Sequence, residues 1–540
     1  MIPHTLMKGI QVVSNPYTKI FIIVFSLALC LGLFSCGTQP AVTDTPLPAT
    51  ATQTPLPAET NTPIPTLLPG MVCAAGLPRP TLTMDEFIGI NSFNDVPNEV
   101  NAVAGILREY HPWAWDEAEA GQMKWNPSYA GGDPPWNFDA WYAGLKALTP
   151  PVAVSPVLMN DIHGSTEKPI AIGHKATDPA AYVAHGEYFY QFAARYGSAS
   201  VPDANLTLAA DQPRLSGLDL IYYVEDWNEP DKSWAAISSN FAPEEYAAMA
   251  SADYDGHCGT LGAAVGVRNA DPNMRMVMSG IADGVDKYYY YLNGIRFWSD
   301  AHRGGSLPFD VINIHHYSTT GATGKSPEED KLVEQLQRVT GWRDTYAPDK
   351  EVWYSEFGWD TNPSTSQSTR AIGPYSIEQV QGQWIVRAYL LSRAAGVDRA
   401  FQFMVRDTNP LSETQYDSSG LTGPKPDYVR KPSWYYVYTL KNRLTGTVFA
   451  GVQDSGNPGV MDYLFENQQT GQLVYVLWSP TADGTIVPDY SLKLNGTPAS
   501  VTLVSLSDSS ATGTETALSL KDGAVSIDVS ESPVFVVVNK

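Results

Sequence analysis

The sequence predicts an α/β fold: a parallel (β/α)8 barrel followed by a small C-terminal antiparallel β-sandwich. Short apolar runs alternate with helical stretches from about Pro80 to Leu444, which is typical of such a barrel. After about Thr445 the helical patterning ends, and short alternating runs recur between Gly, Asn, Asp and Ser, which favours a sandwich. A chain of 540 residues is long enough for both units.

Eight apolar runs are the predicted barrel strands: Phe87–Phe93, Ile106–Tyr110, Val152–Leu158, Leu218–Val224, Met274–Ser279, Val311–His315, Val352–Glu356 and Val397–Phe403. Helices are predicted between and after them: Asn137–Leu148, Pro179–Tyr196, Pro243–Asn269, Lys287–His302, Pro327–Tyr346, Ile377–Ala395 and Pro432–Leu444. We therefore assign residues 71–444 to the barrel and residues 445–540 to the sandwich. No acidic pair at a strand end recurs in the sandwich, so we expect it to pack against the barrel, with carbohydrate binding as the alternative.

The N-terminus has the pattern of an export signal. Lys8 and Lys19 precede an apolar run from Ile20 to Leu33, which is shorter than the ~20 residues of a membrane-spanning helix. The run ends in Leu33-Phe34-Ser35-Cys36, which resembles the bacterial lipobox and implies a signal peptide over 1–36 with lipid on Cys36. The alternative is an ordinary signal or anchor with an incidental cysteine. We expect an exported protein that is lipid-anchored to the cell envelope and faces outward.

Residues 37–70 are dominated by Thr, Pro and Ala, with repeated Thr-Pro. Such a composition cannot bury a core, so the segment is predicted to be an extended linker. Of the four cysteines, Cys73 and Cys258 lie beyond the signal. Export permits a disulfide between them, but the spacing leaves two unpaired thiols equally open. No Cys/His cluster has zinc-ligand spacing, and we expect neither a metal nor a cofactor.

The amino-acid composition limits the classes of molecule that the protein is expected to bind. A net charge of −23 disfavours nucleic acid, whose phosphate backbone would be repelled, and suits a neutral or weakly charged polymer. Aromatic residues make up 11% of the chain. They could provide stacking platforms for sugar rings or simply pack a large β-rich core.

Two glutamates close two of the predicted strands. The fourth strand runs into Asn228-Glu229-Pro230, and the seventh ends in Ser355-Glu356-Phe357-Gly358. The carboxyl ends of barrel strands form one face, so Glu229 and Glu356 could meet across its mouth. At ~5–5.5 Å one carboxylate can act as nucleophile and the other as acid and then base, which is what retaining glycoside hydrolysis requires. One of them would be held protonated, while Arg108 or Tyr317 could keep the other ionised.

These motifs, together with His315-His316-Tyr317 on the sixth strand, resemble clan A of the retaining glycoside hydrolases, which includes families five, thirty and thirty-nine. The resemblance implies that Glu229 is the acid/base, that Glu356 is the nucleophile and that Asn228 contacts the sugar 2-hydroxyl. Arg108 matches the second-strand arginine of the clan. The chain departs from the clan at the eighth strand, where many members place a tryptophan and Phe401-Gln402-Phe403-Met404 stands here.

The remaining predicted substrate-binding residues are His315, His316 and Tyr317 and the rim tryptophans Trp113, Trp234 and Trp359. Any single tryptophan could instead be a packing residue. We expect a monomer that cleaves a β-linked polysaccharide or oligosaccharide, with endo-glucanase action favoured, and that meets the membrane only through its lipid. The alternatives are a catalytically silent protein that captures glycans, and a transglycosylase that uses the same residues.

Overall fold

A computed structural model describes residues 67, 69–117, 119–125, 136–282, 284–496 and 498–539, without the side chains of 284–286. The predicted signal peptide, Cys36 and nearly all of the linker lie outside these residues, as do eleven positions of the predicted loop Trp113–Trp136, namely 118 and 126–135. Among the described residues, no helix combines the length and the apolar character needed to cross a bilayer.

Eight parallel strands close into a barrel in chain order, which confirms the predicted fold class. They are β1 Ile88–Ser92, β2 Ile106–Pro112, β3 Ala153–Met159, β4 Tyr223–Asp226, β5 Arg275–Met278, β6 Val311–His315, β7 Glu351–Phe357 and β8 Arg399–Gln402. The barrel closes where Gly89 of β1 pairs with Phe401 of β8. Gly89 is required there, because an added Cβ would lie 2.4 Å from the Phe401 ring.

The α-helices accompany these strands: α1 Met84–Phe87, α2 Asn98–Asn101, α3 Phe138–Lys146, α4 Val183–Tyr196, α5 Pro243–Asp255, α6 Val267–Ala270, α7 Gly284–Arg303, α8 Leu332–Tyr346, α9 Ile377–Ala394 and α10 Pro432–Arg443. The single helix predicted over Pro243–Asn269 is wrong. Gly256 has φ of 64° and caps α5 in the left-handed conformation, so the chain leaves the helix there and re-enters one only at Val267.

The predicted fourth strand, Leu218–Val224, is placed too early, since β4 covers Tyr223–Asp226. Leu218 and Leu220 donate their backbone N–H groups to Arg195 and Tyr196 at the end of α4. The turn that puts them there includes Asp219, whose φ is 56°. The apolar residues before β4 therefore form a loop against α4, and the strand itself carries Glu225 and Asp226.

Every second residue of a strand faces the barrel interior, so the inward-facing side chains of the eight strands form layers. At the amino ends of the strands, a closed apolar layer consists of Ile106, Tyr223, Val277, Val311, Trp353 and Phe401. Two residues further along β2 and β4 stand Arg108 and Glu225, both buried. The interior therefore changes from apolar to charged toward the carboxyl ends of the strands. A cavity of about 600 Å³ lies at the opposite end, near Gly105, Ala153 and Arg399.

The C-terminal part folds as two antiparallel sheets, in agreement with the predicted sandwich. The six-stranded sheet has the order β14-β13-β16-β11-β10-β9, and the two-stranded sheet pairs β12 with β15. The strands are β9 Val448–Val452, β10 Met461–Glu466, β11 Leu473–Trp478, β12 Ile486–Lys493, β13 Ser500–Ser505, β14 Thr514–Ala517, β15 Ala524–Ser530 and β16 Val534–Asn539.

Alternate residues of the six-stranded sheet face opposite layers. Leu477 and Val536 belong to the small core shared with β12 and β15, whereas Trp478 and Phe535 belong to the barrel's own core. The Trp478 indole also donates to Glu328 at 2.7 Å. The packing role expected for this domain therefore has a structural basis in a shared hydrophobic core.

Cys73 and Cys258 are joined by a disulfide, which resolves the pairing that the sequence left open. The bond ties the start of the described chain to the end of α5, where the Ala74 N–H also donates to Asp255 at 2.9 Å. It closes a loop across 185 positions of sequence.

We expect replacement of both cysteines by serine to lower the free energy of unfolding by about 2–4 kcal/mol, because the cross-link restricts the unfolded chain. Denaturant titration with and without reductant would measure this. Reductant should shift the wild type toward the variant and leave the variant unchanged. A wild-type midpoint that does not respond to complete reduction would contradict the prediction.

Candidate active site

Arg108 is the centre of the charged layer inside the barrel. Its Nε and Nη2 donate to the two carboxylate oxygens of Glu225 at 2.7 and 2.8 Å. Its Nη1 donates to Glu356 Oε1 at 2.7 Å, and its Nη2 also reaches Asn228 Oδ1 at 2.8 Å. Arg108 and Glu225 are both fully buried, so this fork binds two carboxylates away from water.

Glu356 is surrounded by donors. Its Oε1 accepts from Arg108 and from the Tyr110 hydroxyl at 2.5 Å, and its Oε2 accepts from the Tyr317 hydroxyl at 2.8 Å. These donors come from β2 and from the segment after β6, while Glu356 lies on β7. The carboxylate is therefore held in one orientation by two different parts of the barrel rim.

The surroundings of Glu356 favour its ionised form. Burial by itself would raise the pKa of the carboxyl group, but His315, Arg108 and the two tyrosine hydroxyls outweigh burial and lower this pKa below its ordinary value. The tyrosine hydroxyls contribute because they donate hydrogen bonds to the charged form. Glu356 is therefore a carboxylate at neutral pH.

Glu229 lies just beyond the end of β4 and is more accessible. Its side chain is 23% exposed, against 6% for Glu356. Trp227 and Glu229 have φ of 73° and 49°, in the left-handed region that non-glycine residues rarely adopt. Such conformations each cost about 1–3 kcal/mol and concentrate at functional sites. The backbone after β4 is thus held in an unfavourable form that presents Glu229 at the mouth.

His315 connects the two carboxylates. Its Nδ1 is 3.1 Å from Glu229 Oε1, and its Nε2 is 3.0 Å from the Ser355 hydroxyl and 3.6 Å from Glu356 Oε1. Burial lowers the pKa of His315, but the two glutamates outweigh it and raise this pKa above its ordinary value. The ring lies directly on Gly280, where an added Cβ would be 2.0 Å from Nε2.

The two glutamates face each other at short range. A carboxylate oxygen of Glu229, a carboxylate oxygen of Glu356 and a ring nitrogen of His315 all lie within 4.8 Å of one another. Oxygens this close are compatible with the ~5–5.5 Å between the carboxyl groups of retaining glycosidases, which is shorter than the ~6.5–9.5 Å of inverting ones.

Four aromatic rings form a wall beside Glu356. Tyr317 packs against Tyr416 with ring centroids 5.0 Å apart, and Phe403 packs against Tyr416 at 5.5 Å and Tyr110 at 6.5 Å. All four residues are partly exposed. Phe403 follows β8, near the place where many clan members have a tryptophan.

The predicted site residues fall into two groups. Glu229, Glu356, Asn228, Arg108, His315 and Tyr317 come together at the carboxyl ends of the strands. His316 is not among their side-chain contacts in the described structure, and its Nε2 lies 2.6 Å from Asp330 Oδ2. Its contact with substrate stays a prediction.

Two of the three predicted tryptophans are corrected. Trp113 is 3% exposed, stacks on Tyr188 and donates to Glu117 at 2.7 Å. Trp359 is 1% exposed and donates to the Lys325 carbonyl oxygen at 2.8 Å. Neither ring has a face free for a sugar. Trp234 is 62% exposed and stays a predicted sugar platform.

The sequence reasoning missed Tyr110, Glu225 and Asn91, which accepts from Arg108 at 3.0 Å. A signal for Tyr110 was present, since it stands two residues after Arg108 on one strand and so shares its face. Glu225 could have been suspected as a charge within a buried run. Asn91 pairs in register with Arg108 across β1 and β2, which only the barrel's strand register reveals.

We expect Tyr110→Phe to move the acidic limb of the pH profile of kcat/KM to higher pH. Tyr110 stabilises the ionised form of Glu356, so removing its hydroxyl should raise the pKa of Glu356 by about one unit. A matched control is Tyr354→Phe on β7, whose hydroxyl donates to the His316 carbonyl oxygen at 2.5 Å. An acidic limb that stays in place in Tyr110→Phe would contradict the prediction.

No family model matches the chain, and no curated protein matches it by sequence. Solved structures do match. A family 39 glycoside hydrolase from the gut symbiont Bacteroides cellulosilyticus WH2 is 15% identical over 85% of this chain and 83% of its own, with a TM-score of 0.57. The catalytic domain of family 30 xylanase C from Talaromyces cellulolyticus is 12% identical over 87% of this chain and 99% of its own, with a TM-score of 0.51.

A family 30 endoxylanase from Clostridium papyrosolvens C71 is 14% identical over 87% of this chain and 98% of its own, with a TM-score of 0.50. Identities this low establish the fold and leave the reaction open. The chain shares the fold of the family 39 and family 30 glycoside hydrolases.

Proposed function

We propose that this protein is a retaining glycoside hydrolase that cleaves a β-linked polysaccharide. The observation that carries the proposal is the approach of Glu229 and Glu356 to within 4.8 Å at the carboxyl ends of β4 and β7. The two carboxylates have different surroundings, as a nucleophile and an acid require. Glu356 is nearly buried among donors, and Glu229 is open to the mouth.

In the first step a Glu356 oxygen bonds to the anomeric carbon, and the bond from that carbon to the leaving oxygen breaks. Glu229 donates its proton to the leaving oxygen. In the second step water attacks the anomeric carbon, Glu229 accepts a proton from the water, and the ester bond to Glu356 breaks. The first inversion is reversed by the second, so the product keeps the configuration of the substrate.

The donors around Glu356 suggest which oxygen attacks. Oε1 accepts from both Arg108 and Tyr110, so its two lone pairs are engaged. Among the described residues Oε2 accepts only from Tyr317, so one lone pair is left for the anomeric carbon. The same donors keep the pKa of Glu356 low and so make it a good leaving group in the second step.

Asn228 is oriented for a sugar hydroxyl. Arg108 can only donate, so the atom of Asn228 that it contacts is the amide oxygen. The Asn228 NH₂ group is then the donor that remains for substrate, in keeping with the 2-hydroxyl contact that the clan resemblance implies.

The partly exposed wall of Tyr110, Phe403, Tyr416 and Tyr317 supplies aromatic surface where the clan's eighth-strand tryptophan is missing. We assign it the sugar-platform role at the cleavage point, with Trp234 as a platform further out. An endo-acting β-glucanase is the favoured form. Two of the similar structures bear the names xylanase and endoxylanase, so xylan is the first competing substrate.

We also propose that the N-terminal segment anchors the protein to the cell envelope. Lipid on Cys36 and an extended linker over 37–70 would hold the barrel away from the envelope, where polymers too large to import can be cut.

The test is hydrolysis of a panel of β-glucans and xylans by the purified chain, with new reducing ends and product sizes as readouts. Proton NMR of the first-formed product reports its anomeric configuration, which should be that of the substrate. The double variant Glu229→Gln/Glu356→Gln is the inactive control. Polymer binding with no new reducing ends on any substrate would favour glycan capture, and products longer than the substrate would favour transglycosylation.

A further inference from the structure

A second cluster of ionisable side chains lies behind the strand that carries the candidate acid. It consists of Asp226, the last residue of β4, His185 of α4 and Asp253 of α5. A carboxylate oxygen of each aspartate and a ring nitrogen of the histidine all lie within 4.8 Å of one another. All three side chains are 0% exposed. The cluster lies outside the barrel wall and takes no part in the contacts of Glu229 and Glu356 described above.

The cluster has more polar atoms than the protein satisfies. His185 Nδ1 is 2.8 Å from Asp253 Oδ2. Among the described residues, both carboxylate oxygens of Asp226, the second oxygen of Asp253 and the Nε2 of His185 lack a partner with hydrogen-bond geometry, although the Tyr246 hydroxyl and the two carboxyl groups lie close to one another. A buried polar atom without a partner costs about 1–3 kcal/mol, and more when it is charged. Four such atoms in one cluster indicate a missing ligand rather than a single local defect.

The two carboxyl groups of the cluster also have no lysine or arginine paired with them in the part of the chain that the structure describes. Even a protonated His185 would balance only one of the two carboxylates. Aromatic rings surround the histidine, with Phe189 and Trp113 at 4.9 and 5.5 Å, so solvent cannot screen the remaining charge.

We propose that His185, Asp226 and Asp253 bind one divalent transition-metal ion of the zinc type. One imidazole nitrogen and two carboxylate oxygens are donors that zinc accepts, and a water can complete the shell when the protein supplies three ligands. A divalent ion balances both carboxylates at once and gives partners to the unpaired oxygens.

The ion would fasten three elements to each other. Asp226 immediately precedes Trp227, Asn228 and Glu229, so the ion would tie the end of β4 to α4 and α5. Trp227 packs its ring against His185 at 5.9 Å and has a left-handed φ. The metal would therefore help to hold the unfavourable backbone that presents Glu229, in a structural role away from the reacting atoms.

The test starts with the full chain purified without a metal-affinity step. It is unfolded in denaturant with EDTA, refolded with either Zn²⁺ or EDTA, and gel-filtered, and its metal content is measured by mass spectrometry. We expect one retained zinc per chain after refolding with Zn²⁺ and a lower Tm for the chain refolded with EDTA. Asp253→Asn and His185→Gln should lose the retained zinc.

A matched control separates this cluster from the candidate active site, whose Glu229, His315 and Glu356 are also close enough to hold an ion. Glu229→Gln/Glu356→Gln should retain the zinc. Loss of zinc in that double variant, with retention in Asp253→Asn, would overturn the assignment. If the variants at the cluster fail to fold, the measurements on the wild type still test the proposal. A wild type that retains no stoichiometric zinc and whose Tm does not respond to Zn²⁺ would overturn it. Asp253→Asn raising the Tm of a metal-free protein would instead identify a shared proton.

Discussion

Replacing Glu356 with alanine is expected to lower kcat by about 10⁴-fold or more, on the scale of removing a nucleophile from a catalytic unit. The proposed covalent intermediate forms on this carboxylate, and no other described carboxylate at the mouth has the same set of donors. Arg108 keeps Glu225 as a partner in the variant, so the fold should persist. Steady-state kinetics on an activated aryl glycoside, with circular dichroism to confirm folding, would measure the effect.

Azide distinguishes the nucleophile from the acid. In Glu356→Ala, azide should enter the vacated space and attack the anomeric carbon, giving a glycosyl azide of inverted configuration. In Glu229→Ala the intermediate on Glu356 still forms from an activated substrate, so azide should give a glycosyl azide of retained configuration. Identical products from the two variants, or normal turnover of Glu356→Ala, would refute the assigned roles.

Replacing Arg108 with methionine is expected to lower the free energy of unfolding by about 3–5 kcal/mol, because it leaves Glu225 charged and buried without its partner. Activity should fall as well, since Glu356 loses one of its donors and Asn228 loses the contact that orients its amide. Denaturant titration followed by tryptophan fluorescence would measure the loss of stability.

A double variant separates the two effects of Arg108. In Arg108→Met/Glu225→Met the buried charge is gone, so most of the stability should return while activity stays low. Arg108→Lys is the matched charge-preserving change, and it should still lose activity because an ammonium group cannot reproduce the guanidinium fork. Full activity in Arg108→Lys would show that the fork is not needed.

The local pattern of apolar residues predicted much of the fold. Strands in a parallel barrel are buried on both faces, so each appears as an apolar run, and the runs at Val311–His315 and Val352–Glu356 agree with β6 and β7 within a residue or two. The run at Leu218–Val224 was wrongly predicted to be the fourth strand, because a loop packed on α4 is as apolar as a strand. The break after α5 depended on one left-handed glycine, which a continuous helical pattern does not reveal.

The pair of Glu229 and Glu356 could be anticipated because strand ends in a barrel share one face, whatever their separation in sequence. The direction of a side chain on the rim could not be anticipated in the same way. Trp234 and Trp359 each lie within five residues of one of the two candidate glutamates, yet one residue is 62% exposed and the other 1%. Loop packing decides between these outcomes, and residue type does not encode it.

By itself the sequence determined the alternation of strands and helices, the appended β-domain and the two acidic strand ends, because these depend on local periodicity. Only the tertiary structure decided that Cys73 meets Cys258, that Tyr110 and Arg108 hold Glu356, and that His185 and Asp253 enclose Asp226. The physical reason is distance along the chain. Each of these contacts joins different elements of the fold, and their geometry exists only once the barrel has closed.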